Sequence, residues 1–180
     1  MTDSGLSKTP SDAAGETLVD FMARFTGSEQ FDKVFREGMG LVEETANYLD
    51  GPGRVDARGL DRHGAIAYAT ESMRLTTRLM QLASWLLLQR AVSAGELSEE
   101  AAAKEKERIN LADIGPGAAL PGENQLPDGL KELVSRSLSL RERIMKIDRM
   151  VEERRDWTSE GSNPVASQMD RLAAVFSQKS

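Results

Sequence analysis

The sequence contains no cysteine and only one histidine, His63. A disulfide framework, a Cys-ligated zinc site and a thiol nucleophile are therefore excluded. One imidazole also cannot furnish a His-pair metal site or the two Glu-x-x-His pairs of a di-iron bundle. Cations are scarce as well: 23 Lys and Arg stand against 29 Asp and Glu, a formal net charge of −6. Coating DNA requires the opposite surplus, so no direct nucleic-acid role is expected. No apolar run is long enough for membrane insertion. The most hydrophobic stretch, Leu79 to Leu88, is far shorter than the roughly 20 residues a span needs, and Arg74, Arg78 and Arg90 hem it in. The N-terminus lacks the basic start and apolar stretch of a secretory signal, so the expected compartment is the cytoplasm.

Catalytic motifs are missing too. No G-x-S-x-G nucleophile elbow is present. Gly38-Met-Gly40 falls inside an amphipathic helical pattern, and Gly115-Pro-Gly117 lacks the following helix and lysine of a phosphate loop. Adjacent carboxylates such as Glu43 and Glu44 point in different directions on a helix and cannot share one metal. His63 lies among charges and reads as a surface or cap residue. The sequence therefore offers no catalytic, cofactor-binding or metal residue, and the expectation is a protein that is not an enzyme and carries no cofactor.

Helical periodicity is what the sequence does have, with almost no strand signal. The expected fold is all-α: an antiparallel three-helix-type bundle with long helices, a Gly/Pro-rich loop before the last long helix, and flexible termini. Residues 1–17, rich in Ser, Thr, Gly and Asp, read as a disordered lead-in. The bundle domain spans 18–157, with a short helix possible over Leu18 to Phe25. Ser28 caps the first clear helix, whose stripe runs through Phe31, Val34, Phe35, Gly38, Leu41, Val42, Thr45 and Leu49 to a stop at Asp50-Gly-Pro-Gly53. A second helix is expected from about Asp56 to Ala94, and a third, solvated one behind Ser98. The loop is 113–129, holding Pro116, Pro121 and Pro127. Asp128 is placed to cap the last helix, whose seam is Leu130, Leu133, Val134, Ser137, Leu140, Ile144, Ile147 and Val151. Residues 158–180 form a flexible tail with a short amphipathic segment.

Two groups of residues invite an interaction reading. The second helix is apolar on two sides: Leu75, Leu79, Leu82 and Leu86 make one seam, and Met73, Met80 and Leu87 a second at heptad spacing. Met73, Arg74, Leu75, Arg78, Leu79, Leu82 and Trp85 are the candidates for core and subunit contacts. Glu71, Arg74 and Arg78 form a ladder of alternating charge, either an intrahelical ion-pair series or, as we favour, a charged interface with another helix or subunit. In the tail, Val165, Met169, Leu172 and Phe176 share one helical face. They suit docking into a partner's groove, folding back on the bundle, or neither if the segment frays.

Two long blocks, EGMGLVEETANYLDGPGR (Glu37 to Arg54) and YATESMRLTTRLMQLASWLLLQRAV (Tyr68 to Val92), resemble the signature blocks of the alphaproteobacterial family of regulators of CtrA degradation. The following SAGELSEEAAAKEKERINL also resembles that family's pattern. The likeness covers about Phe25 to Leu111 closely and the last helix more loosely. It implies a helical homodimer without catalytic activity, acting as an adaptor in regulated proteolysis. Such adaptors help deliver substrates, notably a cell-cycle transcription regulator, to the AAA+ unfoldase-protease ClpXP. They work beside a response-regulator-type co-adaptor and a cyclic-di-GMP-binding one. The rival reading is a helical scaffold or holdase-like binding protein not coupled to a protease.

Overall fold

The computed structural model describes residues 28–159, apart from the side chains of residues 99 and 154–159. The expected lead-in, the short helix over Leu18 to Phe25 and the tail from 160 onward lie outside the described residues. Two compact units divide the chain. Met22–Asp148 forms one, and the last turns of the final helix, from Arg149, belong to the other. Among the described residues all regular structure is helical: α1 Glu29–Asp50, α2 Pro52–Arg58, α3 Arg62–Ser93, α4 Glu99–Lys106, a 3-10 turn at Glu123–Gln125, and α5 Asp128–Ser159.

Local chemistry sets these boundaries. The Ser28 hydroxyl accepts from the Phe31 amide at 3.2 Å and caps α1, as its position before the apolar stripe predicts. At the far end the stop signal does double duty, because Pro52 stands at the first position of α2, where its fixed φ and missing N–H cost nothing. The expected single helix from Asp56 to Ala94 is two. Gly59 and Leu60 break it, and Asp61 restarts it by accepting from the Gly64 amide at 2.9 Å. The anionic side chain gives the backbone a better partner than continued helix would. At the start of α5 the carbonyl of Pro127, not Asp128, accepts the first helical bond, from Lys131.

The core of the first unit is where α1, α3 and α5 meet. Phe31 and Leu41 come from α1, Leu75, Leu82, Trp85 and Leu86 from α3, and Leu130, Leu140 and Ile144 from α5, all at most 1% exposed. Gly38 marks the closest approach: a Cβ there would lie 2.6 Å from Leu86 Cδ1 and 3.6 Å from Leu140 Cδ2. Helix α1 runs antiparallel to both partners. Arg90 of α3 stacks over Phe35 while Gly53 lies against Tyr68. Arg136 of α5 pairs with Glu44 at 2.8 Å, and Arg143 with Glu37 one heptad back. Helices α3 and α5, however, run in the same direction, since Arg78 meets Ser137 and Trp85 meets Asp148. A parallel pair cannot be joined by a tight turn. Residues 94–127 return the chain to the start of the bundle through α4 and an irregular strap.

Candidate functional site

Helix α3 has 32 residues, about 48 Å at 1.5 Å per residue, and serves two environments at once. Its inner seam is Leu75, Leu79, Leu82, Trp85 and Leu86, none more than 3% exposed. On the opposite side stand Ile66, Met73, Met80 and Leu87, exposed by 56%, 72%, 65% and 52%. They recur every seventh residue over about 31 Å. Between them the exposed positions are Ala69, Thr76, Thr77 and Ser84, all small. Between His63 and Arg90 no exposed residue of α3 carries a charge. In a chain that is 29% charged, such a gap is a property of the face and not of the composition. No described partner covers it, which makes it the leading candidate site.

The charges that α3 does carry in this stretch turn toward the strap. Arg78 is 1% exposed. Its Nε donates to the Ile114 carbonyl at 2.8 Å, one terminal nitrogen donates to Ser137 Oγ at 2.8 Å, and the other to the Gly115 carbonyl at 3.3 Å. Glu71 is the nearest carboxylate, at 3.9 Å. Desolvation pulls the Arg78 pKa below the usual guanidinium value, with Glu71 opposing and Arg141 and Arg74 adding to the drop. Arg74 bonds Glu71 and the Ala118 carbonyl, and Arg141 of α5 bonds the carbonyls of Leu111 and Ala112. Three arginines thus hold five main-chain oxygens of the strap. Leu111 and Leu126, 7% and 6% exposed, anchor it as apolar pegs.

Where the strap crosses α3 it leaves a cleft of about 360 Å³ beside the exposed stripe, lined by Thr70, Met73, Thr77 and Asp113 among others. A second cleft of about 580 Å³ lies on the α5 side of Arg74, with Lys131, Glu123 and Val134 in its walls. Among the described residues no group of three or more His, Asp or Glu side chains could hold a metal. His63 is exposed at the start of α3. Beside it, Asp61 accepts from the Gly64 amide and from Gln125 Nε2, and these bonds hold its carboxyl below the usual range. No helix among the described residues is long and apolar enough to cross a membrane.

Of the residues singled out on the second helix, Leu75, Arg78, Leu79, Leu82 and Trp85 are buried together in the first unit, and Met73 points outward. Within the charged ladder Arg74 pairs with Glu71 along the helix, Arg78 is buried and meets Ser137 of α5, and both arginines also bond the strap. Sequence reasoning missed this use, although a signal was present. Arg78 falls on the same helical row as Leu75, Leu82 and Trp85, so periodicity alone places it inside. It also missed Asp148, which accepts from Trp85 Nε1 at 2.7 Å and pairs with Lys106 of α4 at 2.6 Å. Val165, Met169, Leu172 and Phe176 lie outside the described residues.

Fold and surface together define an all-α protein in which one long helix is half core and half free face. The chain belongs to the RcdA family. Residues 22–176 match the family described as a protein of unknown function (DUF1465). The crystal structure of RcdA from Caulobacter crescentus CB15 is similar at 52% identity, covering 72% of this chain and 96% of that one, with a TM-score of 0.58. No curated protein matches the chain.

Proposed function

We propose that the chain is a non-catalytic adaptor in regulated proteolysis, that it works in the cytoplasm, and that it forms a homodimer through the uncharged face of α3. The observation that carries the adaptor reading is the 52% identity to RcdA. The family's substrates would be cell-cycle transcription regulators delivered to ClpXP, together with response-regulator-type and cyclic-di-GMP-binding co-adaptors. Adaptors act by raising effective concentration, so modest contacts suffice and no active site is needed.

Three features of the face support a second copy as its occupant. A strict seven-residue repeat favours a helical partner wound in a left-handed sense. Small residues between the large ones let two such helices approach closely. In an antiparallel pair centred between Thr76 and Thr77, Met73 faces Met80 and Ile66 faces Leu87 of the other copy. Finally, two chains of net charge −6 meet most cheaply where neither presents charge. Val165, Met169, Leu172 and Phe176 remain the candidates for docking a protease-side partner.

The test is degradation of a cell-cycle regulator substrate by purified ClpXP and both co-adaptors, with and without the full chain. Acceleration is expected, and its absence with every component present sinks the adaptor reading. Capture of substrates without the unfoldase would favour the scaffold reading instead. A chain truncated after Trp157 should lose delivery; unchanged delivery removes the tail assignment. Solution mass of Met73→Glu/Met80→Glu should fall to that of a monomer if the face pairs two copies.

A further inference from the structure

The chain has eight methionines and no cysteine, so thioethers are its only readily oxidised sulfur groups. Their placement is uneven. Met39 and Met145 pack against the core of the first unit. Met73 and Met80 are 72% and 65% exposed and sit one heptad apart in the middle of the uncharged face. Ile66 and Leu87 extend that face by one heptad on either side, and neither can be oxidised under the same conditions. The two central anchors of an otherwise inert stripe are therefore the two oxidisable ones.

We infer that Met73 and Met80 form a peroxide-sensitive modification site that governs pairing of the α3 face, an inference that rests on the homodimer reading above. The reaction needs only hydrogen peroxide or another two-electron oxygen donor. The sulfur lone pair attacks one peroxide oxygen, the O–O bond breaks, an S–O bond forms, and the second oxygen leaves as water. Sulfur loses two electrons and the peroxide gains them. The product sulfoxide is polar and holds water where an apolar anchor stood. The sulfurs are reachable only in separated chains, since pairing would cover them. Oxidation therefore traps the dissociated form, and reduction by an external dithiol, which becomes a disulfide as the sulfoxide oxygen leaves as water, returns the chain to the pairing pool.

The experiment follows peroxide oxidation of the full chain by peptide mass spectrometry over a range of protein concentrations, with Met150, 52% exposed and off the α3 face, as internal reference. Solution mass is read before and after oxidation, and again after treatment with methionine sulfoxide reductases. Protection of Met73 and Met80 relative to Met150 should rise with concentration. The dimer dissociation constant should increase by about tenfold or more once both are oxidised, and reduction should restore it. Met73→Leu/Met80→Leu, which keeps the stripe apolar, should stay dimeric in peroxide. A dimer whose Met73 and Met80 oxidise at a concentration-independent rate would overturn the α3 face as the interface, and the switch with it. A dimer that protects both sulfurs yet keeps its mass when both are sulfoxides, or a Leu variant that dissociates equally in peroxide, overturns the switch alone.

Discussion

The inner and outer faces of α3 carry similar side chains and have opposite fates. Leucine and tryptophan point one way, isoleucine, methionine and leucine the other, and both sets repeat at helical spacing. What differs is the neighbourhood: α1 and α5 converge on the inner seam, whereas no described element reaches the outer stripe. Hydrophobic character alone therefore does not mark a core. The contrast also shows in polar placement. Arg78 is admitted to the inner side because backbone oxygens and Ser137 receive all three of its donor nitrogens, while the outer face excludes charge altogether.

Truncation on the two faces should separate them most sharply. Trp85→Ala removes a side chain at 0% exposure and takes one hydrogen bond from the Asp148 carboxylate, which keeps its pair with Lys106, and is expected to cost about 3–5 kcal/mol in denaturant unfolding. Met80→Ala, measured at concentrations where the chain is monomeric, should change stability by no more than about 0.5 kcal/mol. Equal losses would mean that the outer stripe is packed within the chain after all. Next in size, Arg78→Met leaves the carbonyls of Ile114 and Gly115 without their buried donor and should cost about 2–4 kcal/mol. Amide exchange should rise first in the strap. Two glycines on α1 then give a pair of opposite sign. Gly38→Ala forces a Cβ to within 2.6 Å of Leu86 Cδ1 and should destabilise by about 1–3 kcal/mol. Gly40→Ala meets nothing within 4 Å and should stabilise by about 0.5–1 kcal/mol through helix propensity.

The smallest effect concerns pH. Asp61 has its folded carboxyl pKa lowered from 3.8, so its contribution is complete above the unfolded value and is lost as pH falls through the folded one. Asp61→Asn still caps α3 and should match the wild type near neutrality while flattening the acid limb of the stability profile. An unchanged acid limb would show that the clasp with Gln125 does not couple to folding.

The helices were legible because each boundary carries its own local chemistry: Ser28 and Ser98 cap, and Gly51 and Pro52 stop. The two-sided character of α3 was legible in its two heptad-spaced rows. The break at Gly59 to Asp61 was not, since the apolar pattern on either side reads as one periodic run and only the capping geometry of Asp61 interrupts it. The direction of α5 relative to α3 was also hidden. It depends on where the strap returns the chain, and no residue pattern in 113–129 encodes that route. The use of Arg74, Arg78 and Arg141 escaped for a related reason. Their partners are main-chain carbonyls, which every residue has and no sequence displays.

That choice of partner has a consequence for how the protein can change over generations. A latch that grips side chains fails when those side chains drift, but this one grips main-chain oxygens, which every amino acid carries. Positions such as Ala112, Pro116 and Ala118 are free to vary as long as the path of the chain is kept. Gly117 and Gly122 are exceptions: a methyl group at Gly117 would collide with the Arg74 guanidinium, and Gly122 has a φ of +85° with the His63 main chain 2.5 Å from where a Cβ would lie. A library randomised across the strap should therefore return a broad repertoire except at Gly117, at the positive-φ glycines Gly95 and Gly122, and at the apolar pegs Leu111 and Leu126. The three arginines on the helices beneath should tolerate almost nothing.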